Sequence, residues 1–360
     1  MNYESLGASG LKVSPLWLGT MMFGDQTDAA EAARIVDAAR AAGVNAIDTA
    51  DAYADGESER ITGSLIGADR ERWVLATKLA NPMGPGPNDR GLSRRHILQA
   101  VDASLARLAT GWIDVLYLHR EDPTTPLEET LAAVAHLVER GKVHHFGVSN
   151  FRAWRVARIA EMCRAMGIAP PIVCQPPYNA MTRGIETELL PCCAHYGLGV
   201  VAYSPLARGV LSGKYAAGAL PPEGSRAARN DKRIMQTEFR PESVALAQQL
   251  AERARARGLT PTALALGFRA YLFFLGELFE QCFLGVDTNG AAVILARADL
   301  RVPVDDVQEF QRRIHALRGP GSIVGYEIRK MGLIDAAQHF VLLVHGAAPS
   351  MAHQQVVGTV

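Results

Sequence analysis

The sequence predicts an α/β fold in which strands and helices alternate to form a (β/α)8 barrel, the TIM-barrel architecture. Short apolar runs rich in Val, Ile and Leu alternate with longer segments whose apolar residues recur at helical spacing. The apolar runs are nearly continuous, as expected for parallel strands that are covered on both faces. Polar residues stand at the end of strand after strand, and no GxGxxG turn follows the first strand. A closed barrel is therefore favoured over the rival fold, an open doubly wound sheet.

Seven strands and four helices follow from this rhythm along the chain. The strands are expected at residues 17–20, 45–50, 73–78, 113–119, 143–150, 172–178 and 198–204. The helices are expected at residues 28–42, 93–109, 126–140 and 151–166, because each segment begins near a capping or turn residue and carries an apolar stripe. An eighth strand is expected at 289–296 and a further helix at 304–317, whereas 319–360 give only weak signals.

Length, composition and charge favour one domain that acts on a small molecule. The 360 residues, 48% of them hydrophobic, are enough for a single barrel domain over 1–360, with 269–360 as a divergent segment. The 37 Lys and Arg balance the 37 Asp and Glu, so no overall field would hold nucleic acid or an anionic membrane. The first ten residues lack the pattern of a signal peptide, and no long apolar run follows, so a cytoplasmic location is expected. The oligomeric state is left open.

Neither a disulfide framework nor a metal site is predicted. The five cysteines, at positions 163, 174, 192, 193 and 282, show no CxxC spacing. We interpret them as reduced residues that pack like small hydrophobic side chains.

Four polar residues at the predicted strand ends could act together: Asp48, Tyr53, Lys78 and His119. The active site of a barrel lies at the carboxyl ends of its strands, where these side chains would converge. A tyrosine hydroxyl, with an ordinary pKa of about 10, can donate a proton near neutral pH only if a neighbouring cation lowers that pKa. Lys78 is the predicted cation and Asp48 its counter-charge. His119 would orient a carbonyl, whose developing negative charge it would stabilise together with Tyr53.

Each of these residues also has a plainer interpretation when it is taken alone. An aspartate at a strand end is often a helix cap, a lone lysine a solvated charge and a lone histidine a structural residue. Their joint occurrence in the segments 45–53, 74–78 and 114–119 is what favours the catalytic interpretation.

These segments together resemble the aldo-keto reductase family. The resemblance continues through segments 56–59, 141–150, 175–179 and 203–215 and covers about residues 1–268. It implies a (β/α)8 barrel in which Asp48, Tyr53, Lys78 and His119 form a catalytic tetrad, with Tyr53 as the acid. It also implies NADPH as the cofactor and a small carbonyl compound as the substrate.

The same resemblance assigns a set of cofactor contacts. Ser149, Asn150 and Gln175 would hold the nicotinamide carboxamide, and the Tyr203 ring would stack on the nicotinamide. The remaining contacts implied are Gly19, Thr20, Met21, Asp48, Ser204, Pro205, Leu206, Gly209, Leu211, Lys214 and Arg226.

Two of these assignments have plainer alternatives. The loop after Tyr203 suits a pyrophosphate, since Gly209 and Gly213 permit close backbone approach and Lys214 adds a cation, but an ordinary glycine-rich turn is the alternative. Arg226 resembles a residue of an insert that folds over the cofactor in long-loop members of the family, and a solvated loop arginine is an equal alternative.

The chain departs from the family pattern after Phe268. Family members usually carry a Gly-x-Arg-x-x-x-Gln segment that grips the adenosine 2′-phosphate, and this segment is missing here. Arg297 is the nearest candidate for that role. A preference for NADPH over NADH is therefore implied by the resemblance alone, because no motif of this sequence indicates it. One explanation of this departure is a change of reading frame or a recombined tail, which would leave the barrel incompletely closed. The other is a true extension of the chain that packs over the barrel.

Three functions fit the sequence. The first is an enzyme that reduces aldehydes or ketones with NADPH or runs the reverse oxidation. The second is a subunit that senses cofactor redox state for a partner, as the channel-associated β-subunits of this family do. The third is a barrel that binds cofactor poorly because of its altered tail.

Overall fold

The computed structural model describes residues 2–267, 284–286 and 292–294. The chain divides into two units, Met1–Ala270 and Tyr271–Val360, which are described separately below. No helix among the described residues is long and apolar enough to cross a membrane.

The described strands of the first unit are short and mostly buried. They are β1 (Glu4–Ser5), β2 (Lys12–Val13), β3 (Trp17–Gly19), β4 (Ala46–Asp48), β5 (Val74–Leu79), β6 (Ile113–Leu118), β7 (Val143–Ser149), β8 (Val173–Gln175) and β9 (Gly199–Val200). The helices are α1 (Ala29–Ala41), α2 (Glu57–Ile66), α3 (Arg94–Leu108), α4 (Leu127–Glu139), α5 (Ala153–Met166), α6 (Leu189–Tyr196), α7 (Lys232–Thr237) and α8 (Pro241–Arg255), and residues 261–267 are also helical.

Strands β3 to β9 form one parallel sheet in which the spatial order equals the chain order. Helical segments follow the strands, and this succession of βα units is that of a (β/α)8 barrel, which confirms the predicted fold class. Each of the seven predicted strand ranges overlaps an observed strand, and the four predicted helices match α1, α3, α4 and α5. The predicted capping residues are correct at two of these helices, since Asp28 accepts a hydrogen bond from the N–H of Glu31 and Ser93 from that of His96.

Successive residues of each strand face two different hydrophobic clusters. One cluster lies inside the sheet and comprises Leu6, Val13, Ala46, Val74, Ala76, Val115, Tyr117 and Val173. The alternate residues, among them Ile47, Leu75 and Leu116, pack in the larger cluster with apolar residues of the helices. This period of two explains why nearly every strand residue is apolar, as the sequence pattern requires.

Gly147 of β7 provides room for the interior side chains. A Cβ atom at this position would lie 2.5 Å from Cγ1 of Val173 and 2.9 Å from Cε1 of Tyr117. Glycine is therefore the residue that lets the large Tyr117 ring occupy the barrel interior.

The strand pair β1–β2 was not predicted. These two antiparallel strands have only two residues each, too few for an alternating pattern to stand out in the sequence. Leu6 and Val13 of this hairpin join the interior cluster, so the hairpin packs against the amino-terminal end of the barrel strands. Helices α2, α6, α7 and α8 were also not singled out from the sequence.

The described residues of the second unit are two strands, β10 (Leu284–Val286) and β11 (Ala292–Ile294). Strand β11 lies within the predicted eighth strand, but it pairs antiparallel with β10 in a separate two-stranded sheet. The connection between them is too short for a parallel crossover, which explains this difference from the expected parallel pairing. Arg297, the predicted helix at 304–317 and the segment 319–360 lie outside the described residues, and the single-domain assignment stays a prediction.

The cysteines of the first unit are unpaired. Cys163, Cys174, Cys192 and Cys193 are free thiols, as expected, and the first, second and fourth of them are buried. Burial raises the pKa of the Cys163 thiol to about 11, so this thiol stays protonated and unreactive near neutral pH. Cys282 lies outside the described residues.

Candidate active site

The strand pleat brings three of the four predicted catalytic residues to one place. Asp48 ends β4, Lys78 lies in β5 and His119 directly follows β6. Each stands two residues after a member of the interior cluster, namely Ala46, Ala76 and Tyr117. Residues two apart share a face of a strand, and the carboxyl ends of parallel strands meet at one end of a barrel. The side chains of Asp48, Lys78 and His119 therefore converge at the carboxyl-terminal end of the barrel.

Lys78 is a fully buried cation with two oxygen partners. Its Nζ donates to Oδ2 of Asp48 at 2.5 Å and to the carbonyl oxygen of Thr49 at 2.7 Å. The other carboxylate oxygen of Asp48 accepts a hydrogen bond of 3.0 Å from Nε2 of Gln175. Both oxygens of Asp48 are thus satisfied, which a buried ion pair needs to offset its lost hydration.

The surroundings keep Lys78 charged. Burial by itself lowers the pKa of the Lys78 ammonium, but the attraction of Asp48 and the interaction with Tyr53 outweigh it, so that the pKa is raised above its ordinary value. A lysine that is protonated at all physiological pH values supplies a permanent positive charge beside Tyr53.

Tyr53 lies in a short 3-10 turn, Tyr53–Gly56, that follows β4. Nζ of Lys78 lies 4.8 Å from the centroid of the Tyr53 ring, and the His119 ring meets it edge to face at 5.9 Å between centroids. The four predicted catalytic residues are thus neighbours.

The pKa of Tyr53 differs from the sequence-based expectation. Lys78 lowers it, as expected, but burial is the larger effect and Asp48 adds to it, so the pKa is raised above 10. Tyr53 is therefore fully protonated near neutral pH. The expected net lowering by the cation is wrong, because the sequence shows the charge of Lys78 but not the desolvation of the phenol.

His119 is held neutral. Burial lowers the pKa of its imidazole to about 3, with further lowering by Lys78, Arg120 and Arg233. Nδ2 of Asn81 lies 3.0 Å from Nδ1 of His119. An amide NH2 group can only donate, so Nδ1 accepts and the ring proton resides on Nε2. His119 thus offers an N–H donor on the side away from Asn81.

The residues predicted to hold the carboxamide form a connected polar set at the ends of β7, β8 and β9. Ser149 Oγ donates to the carbonyl oxygen of Gln175 at 2.8 Å and accepts from Nδ2 of Asn150 at 3.0 Å. The hydroxyl of Tyr203 donates to Oδ1 of Asn150 at 2.8 Å. Asn150 has a left-handed φ of 60°, which asparagine tolerates better than most residues and which turns the chain at the end of β7. These amide and hydroxyl groups suit the paired donors and acceptors of a carboxamide.

The residues predicted on the other side of the cofactor follow β3. Gly19 ends this strand, and the N–H of the buried Thr20 donates to the carbonyl oxygen of Asp48 at 2.9 Å. Three arginines of the segment after β9 reach the loop after β3, each through its guanidinium group: Arg233 contacts Sδ of Met21, Arg226 contacts Sδ of Met22 and Arg229 contacts Oε1 of Gln26. Arg226 therefore lies against the loop that includes Met21, as the interpretation of an insert folding over the cofactor requires.

The loop after Tyr203 fits an anionic group. It contains the predicted contacts Ser204, Pro205, Leu206, Gly209, Leu211 and Lys214, of which Leu211 is fully buried in the cluster around α8. Ser204, Arg208 and Gly209 have positive φ angles, so the backbone turns sharply. A Cβ atom on Gly209 would lie 3.2 Å from Nζ of Lys214, and glycine therefore lets this ammonium approach the turn. Nε of Arg208 is buried and has no hydrogen-bond partner among the described residues, and an anion would supply one.

Two residues of this site were missed in the sequence. Arg208 stands in the middle of the predicted phosphate loop, and its positive charge was the available signal. Asn81 gave no signal, because only the folded chain brings the loop after β5 beside His119.

The segment 56–59 supports the site without lining it. Glu59 is fully buried, its Oε1 accepts from the hydroxyl of Thr77 at 2.5 Å, and its Oε2 accepts from Nε of Arg107 at 2.6 Å. Ser58 Oγ donates to the carbonyl oxygen of Thr20 at 2.8 Å and lies 3.0 Å from the hydroxyl of Thr49. These bonds hold α2 against Thr77, Thr49 and Thr20. Each of these threonines is adjacent in the sequence to a predicted site residue, namely Lys78, Asp48 or Gly19.

Comparison with known proteins agrees with this architecture. The sequence profile described as "Aldo/keto reductase family" matches residues 15–273. A protein of Arabidopsis thaliana named "Probable voltage-gated potassium channel subunit beta" is 43% identical over 239 residues, which is 65% of this chain and 73% of the relative. A "Putative voltage-gated potassium channel subunit beta" of Schizosaccharomyces pombe is 36% identical over 276 residues, 74% of this chain and 80% of the relative. "Aflatoxin B1 aldehyde reductase member 2" of Mus musculus is 42% identical over 212 residues, 58% of this chain and 56% of the relative.

Proposed function

Because this chain belongs to the aldo/keto reductase family, whose members are in general oxidoreductases that bind NADP(H), we propose that it reduces aldehydes and ketones to alcohols with NADPH. The reaction is reversible. The observation that carries this proposal is the contact of a permanently charged Lys78 with Asp48 and Tyr53, beside a neutral His119.

The chain's own residues would bind and polarise the carbonyl. When bound, NADPH supplies the hydride that is transferred to the carbonyl carbon. The hydroxyl of Tyr53 and the Nε2–H of His119 donate hydrogen bonds to the carbonyl oxygen and stabilise the negative charge that develops there. Tyr53 then gives its proton to this oxygen, which completes the alcohol. Lys78 stabilises the resulting phenolate, and Asp48 keeps Lys78 in place.

The raised pKa of Tyr53 is compatible with this role. An alkoxide is a much stronger base than a phenolate, so the proton transfer is favourable even from a tyrosine whose pKa lies above 10. The benefit of Lys78 arises when the phenolate forms, because only then does a negative charge stand beside the ammonium.

The cofactor would lie across the carboxyl ends of the strands. Ser149, Asn150 and Gln175 suit its carboxamide, and the Tyr203 ring suits the face of the nicotinamide. Arg208 and Lys214 suit its pyrophosphate, because both are cations at a turn with positive φ angles. The choice of NADPH over NADH follows the family, since the described residues offer no candidate for contact with the 2′-phosphate.

The substrate would be a small carbonyl compound, and we propose a cytoplasmic location. Neither nucleic acid nor a membrane surface is proposed as a partner, since the formal net charge is zero. A second candidate function is favoured by the names of two relatives, which are channel β-subunits. In that case the same site would report the redox state of a cofactor to a partner protein.

Replacing Tyr53 with phenylalanine tests the enzymatic proposal. Tyr53→Phe removes the proton donor and keeps the ring, so kcat for reduction of an aromatic aldehyde should fall by about a hundredfold or more. Binding of NADPH, followed by quenching of tryptophan fluorescence, should persist. Tyr3→Phe is the matched control, because it also deletes a hydrogen-bonded hydroxyl, one that donates to the carbonyl oxygen of Gly43 at 2.8 Å.

Three outcomes distinguish the candidates. Loss of turnover in Tyr53→Phe but not in Tyr3→Phe supports the reductase. Equal turnover in wild type and Tyr53→Phe contradicts the assignment of Tyr53. Cofactor binding without turnover of any aldehyde in the wild type favours the redox-sensing subunit.

A further inference from the structure

A cavity of about 460 Å³ opens beside His119. It is lined by Asn81, His119, Arg120, Glu121, Asn150 and Arg152, which follow the carboxyl ends of β5, β6 and β7. His119 is the residue proposed to bind the carbonyl oxygen, so the cavity adjoins the proposed carbonyl site on its His119 side. A volume of this size holds a small organic molecule.

The lining of this cavity carries an excess of positive charge. Arg120 and Arg152 are cationic, and neither guanidinium has a hydrogen bond or an ion pair with any described residue. Glu121 is the single acid of the lining, and its Oε1 is engaged in a hydrogen bond of 2.8 Å with the backbone N–H of Arg152. His119, Asn81 and Asn150 are neutral, so they do not offset the charge of the two arginines.

A further cation acts on the same site from another element. Burial is the largest influence on both groups, raising the pKa of Tyr53 and lowering that of His119, and the charge of Arg233 of α7 is close enough to act on both in the lowering direction. Its guanidinium contacts Sδ of Met21, a neutral partner, and forms no ion pair with a described residue. Lys78, by contrast, is neutralised by Asp48.

We propose that the carbonyl substrate carries an anionic group, a carboxylate or a phosphate, which the guanidinium of Arg120 binds while the carbonyl oxygen lies against His119 and Tyr53. This inference rests on the proposed reductase function. Arg120 is the nearest of the unpaired cations along the chain, since its Cα lies about 3.8 Å from that of His119. A guanidinium presents two parallel N–H groups that match the oxygens of a carboxylate or a phosphate.

The location of Arg120 limits the size of the substrate. An anionic group that reaches Arg120 from a carbonyl at His119 must be joined to that carbonyl by a short spacer or a single ring. Neutral carbonyl compounds would be reduced more slowly, because they leave the positive charge of the cavity uncompensated. The alternative is that Arg120 and Arg152 are only solvated side chains at the rim, in which case substrate charge has no effect.

Matched pairs of substrates test the inference on the full chain with NADPH. The first pair is 4-carboxybenzaldehyde and its methyl ester, which differ in charge at the same position. The second pair is glyceraldehyde 3-phosphate and glyceraldehyde. In at least one pair kcat/KM should be higher for the anion by about tenfold or more, and this ratio should fall as salt is added. The pair with the larger ratio identifies the carboxylate or the phosphate as the preferred group.

A charge-removing variant assigns the effect to Arg120. Arg120→Gln should reduce the anion-to-neutral ratio toward one. Arg158→Gln makes the same charge change on the exposed face of α5, away from the cavity, and should keep the wild-type ratio. The salt dependence of the wild-type enzyme gives a second reading that does not depend on the folding of a variant.

The outcomes separate this inference from the function on which it rests. Equal kcat/KM values within both pairs, or an unchanged ratio in Arg120→Gln, overturn the inference and leave the reductase proposal standing. Absence of turnover for all four aldehydes overturns the reductase function and the inference together.

Discussion

At the scale of single residues, the site depends on how burial and charge oppose each other. Burial by itself lowers the pKa of Lys78, and the attraction of Asp48, whose Oδ2 lies 2.5 Å from Nζ, outweighs it together with Tyr53. Burial raises the pKa of Tyr53 despite Lys78, so the phenol keeps its proton until a strong base forms. His119 is neutral for the same reason, which makes it a hydrogen-bond donor and not a competing cation.

Asn81 is predicted to act as a positioning residue for His119. Asn81→Leu removes the donor to Nδ1, so the imidazole proton should divide between the two ring nitrogens and kcat should fall on the order of tenfold. The nitrogen chemical shifts of His119 measured by NMR report the tautomer directly, and a merely structural role for Asn81 would not change them. Asn88→Leu, in the same loop and exposed, is the control. A wild-type tautomer in Asn81→Leu would refute this role.

At the scale of elements, the turn between β4 and α2 combines Tyr53, the proposed proton donor, with a buried acid. Asp51 is fully buried, and neither carboxylate oxygen has a hydrogen-bond partner among the described residues. Burial, together with the charge of Glu59, raises the pKa of Asp51 from 3.8 to about 7. The Asp51 carboxyl group therefore keeps its proton up to a higher pH in the folded protein than in the unfolded chain.

This shift predicts how stability depends on pH. Below pH 3.8 Asp51 is protonated in both states, and between 3.8 and about 7 only the folded state keeps the proton. The stabilising contribution of the bound proton is thus lost as the pH rises through this window, by about 2 to 4 kcal/mol. Asp51→Asn should weaken the loss of stability that urea unfolding measures between about pH 4 and pH 7. Asp55→Asn, at an exposed position of the same turn, should keep the wild-type dependence, and an equal dependence in all three proteins would contradict the assignment.

Elements were predictable where their sequence pattern is long. Strand β6 and helix α3 have six and fifteen residues, enough to show a continuous apolar run and a helical stripe. The hairpin β1–β2 has two residues per strand, and only tertiary packing defines it. The site shows the same division. Asp48 and Lys78 stand at readable strand ends, whereas Asn81 and Asp51 acquire their properties from contacts and burial that no local pattern contains.

At the scale of the whole molecule, the described barrel and the family match end almost together. The first unit ends at Ala270, the family profile at residue 273, and the pattern of the sequence changes after Phe268. The first unit already contains the four predicted catalytic residues, the polar set predicted to hold the carboxamide and the turn with Arg208 and Lys214. Recognition of the adenosine 2′-phosphate is the one expected part of cofactor binding that has no candidate in this unit.

The central claim is that this barrel binds a nicotinamide cofactor for carbonyl reduction. The most direct test is titration of the purified full-length chain with NADPH and with NADH, followed by quenching of tryptophan fluorescence. We predict saturable micromolar binding of NADPH and weaker binding of NADH, with both weakened in Arg208→Gln, because its side chain would contact the pyrophosphate that the two cofactors share. Absence of saturable binding of either cofactor would contradict the account, since the residues assembled here would then have no nicotinamide to hold.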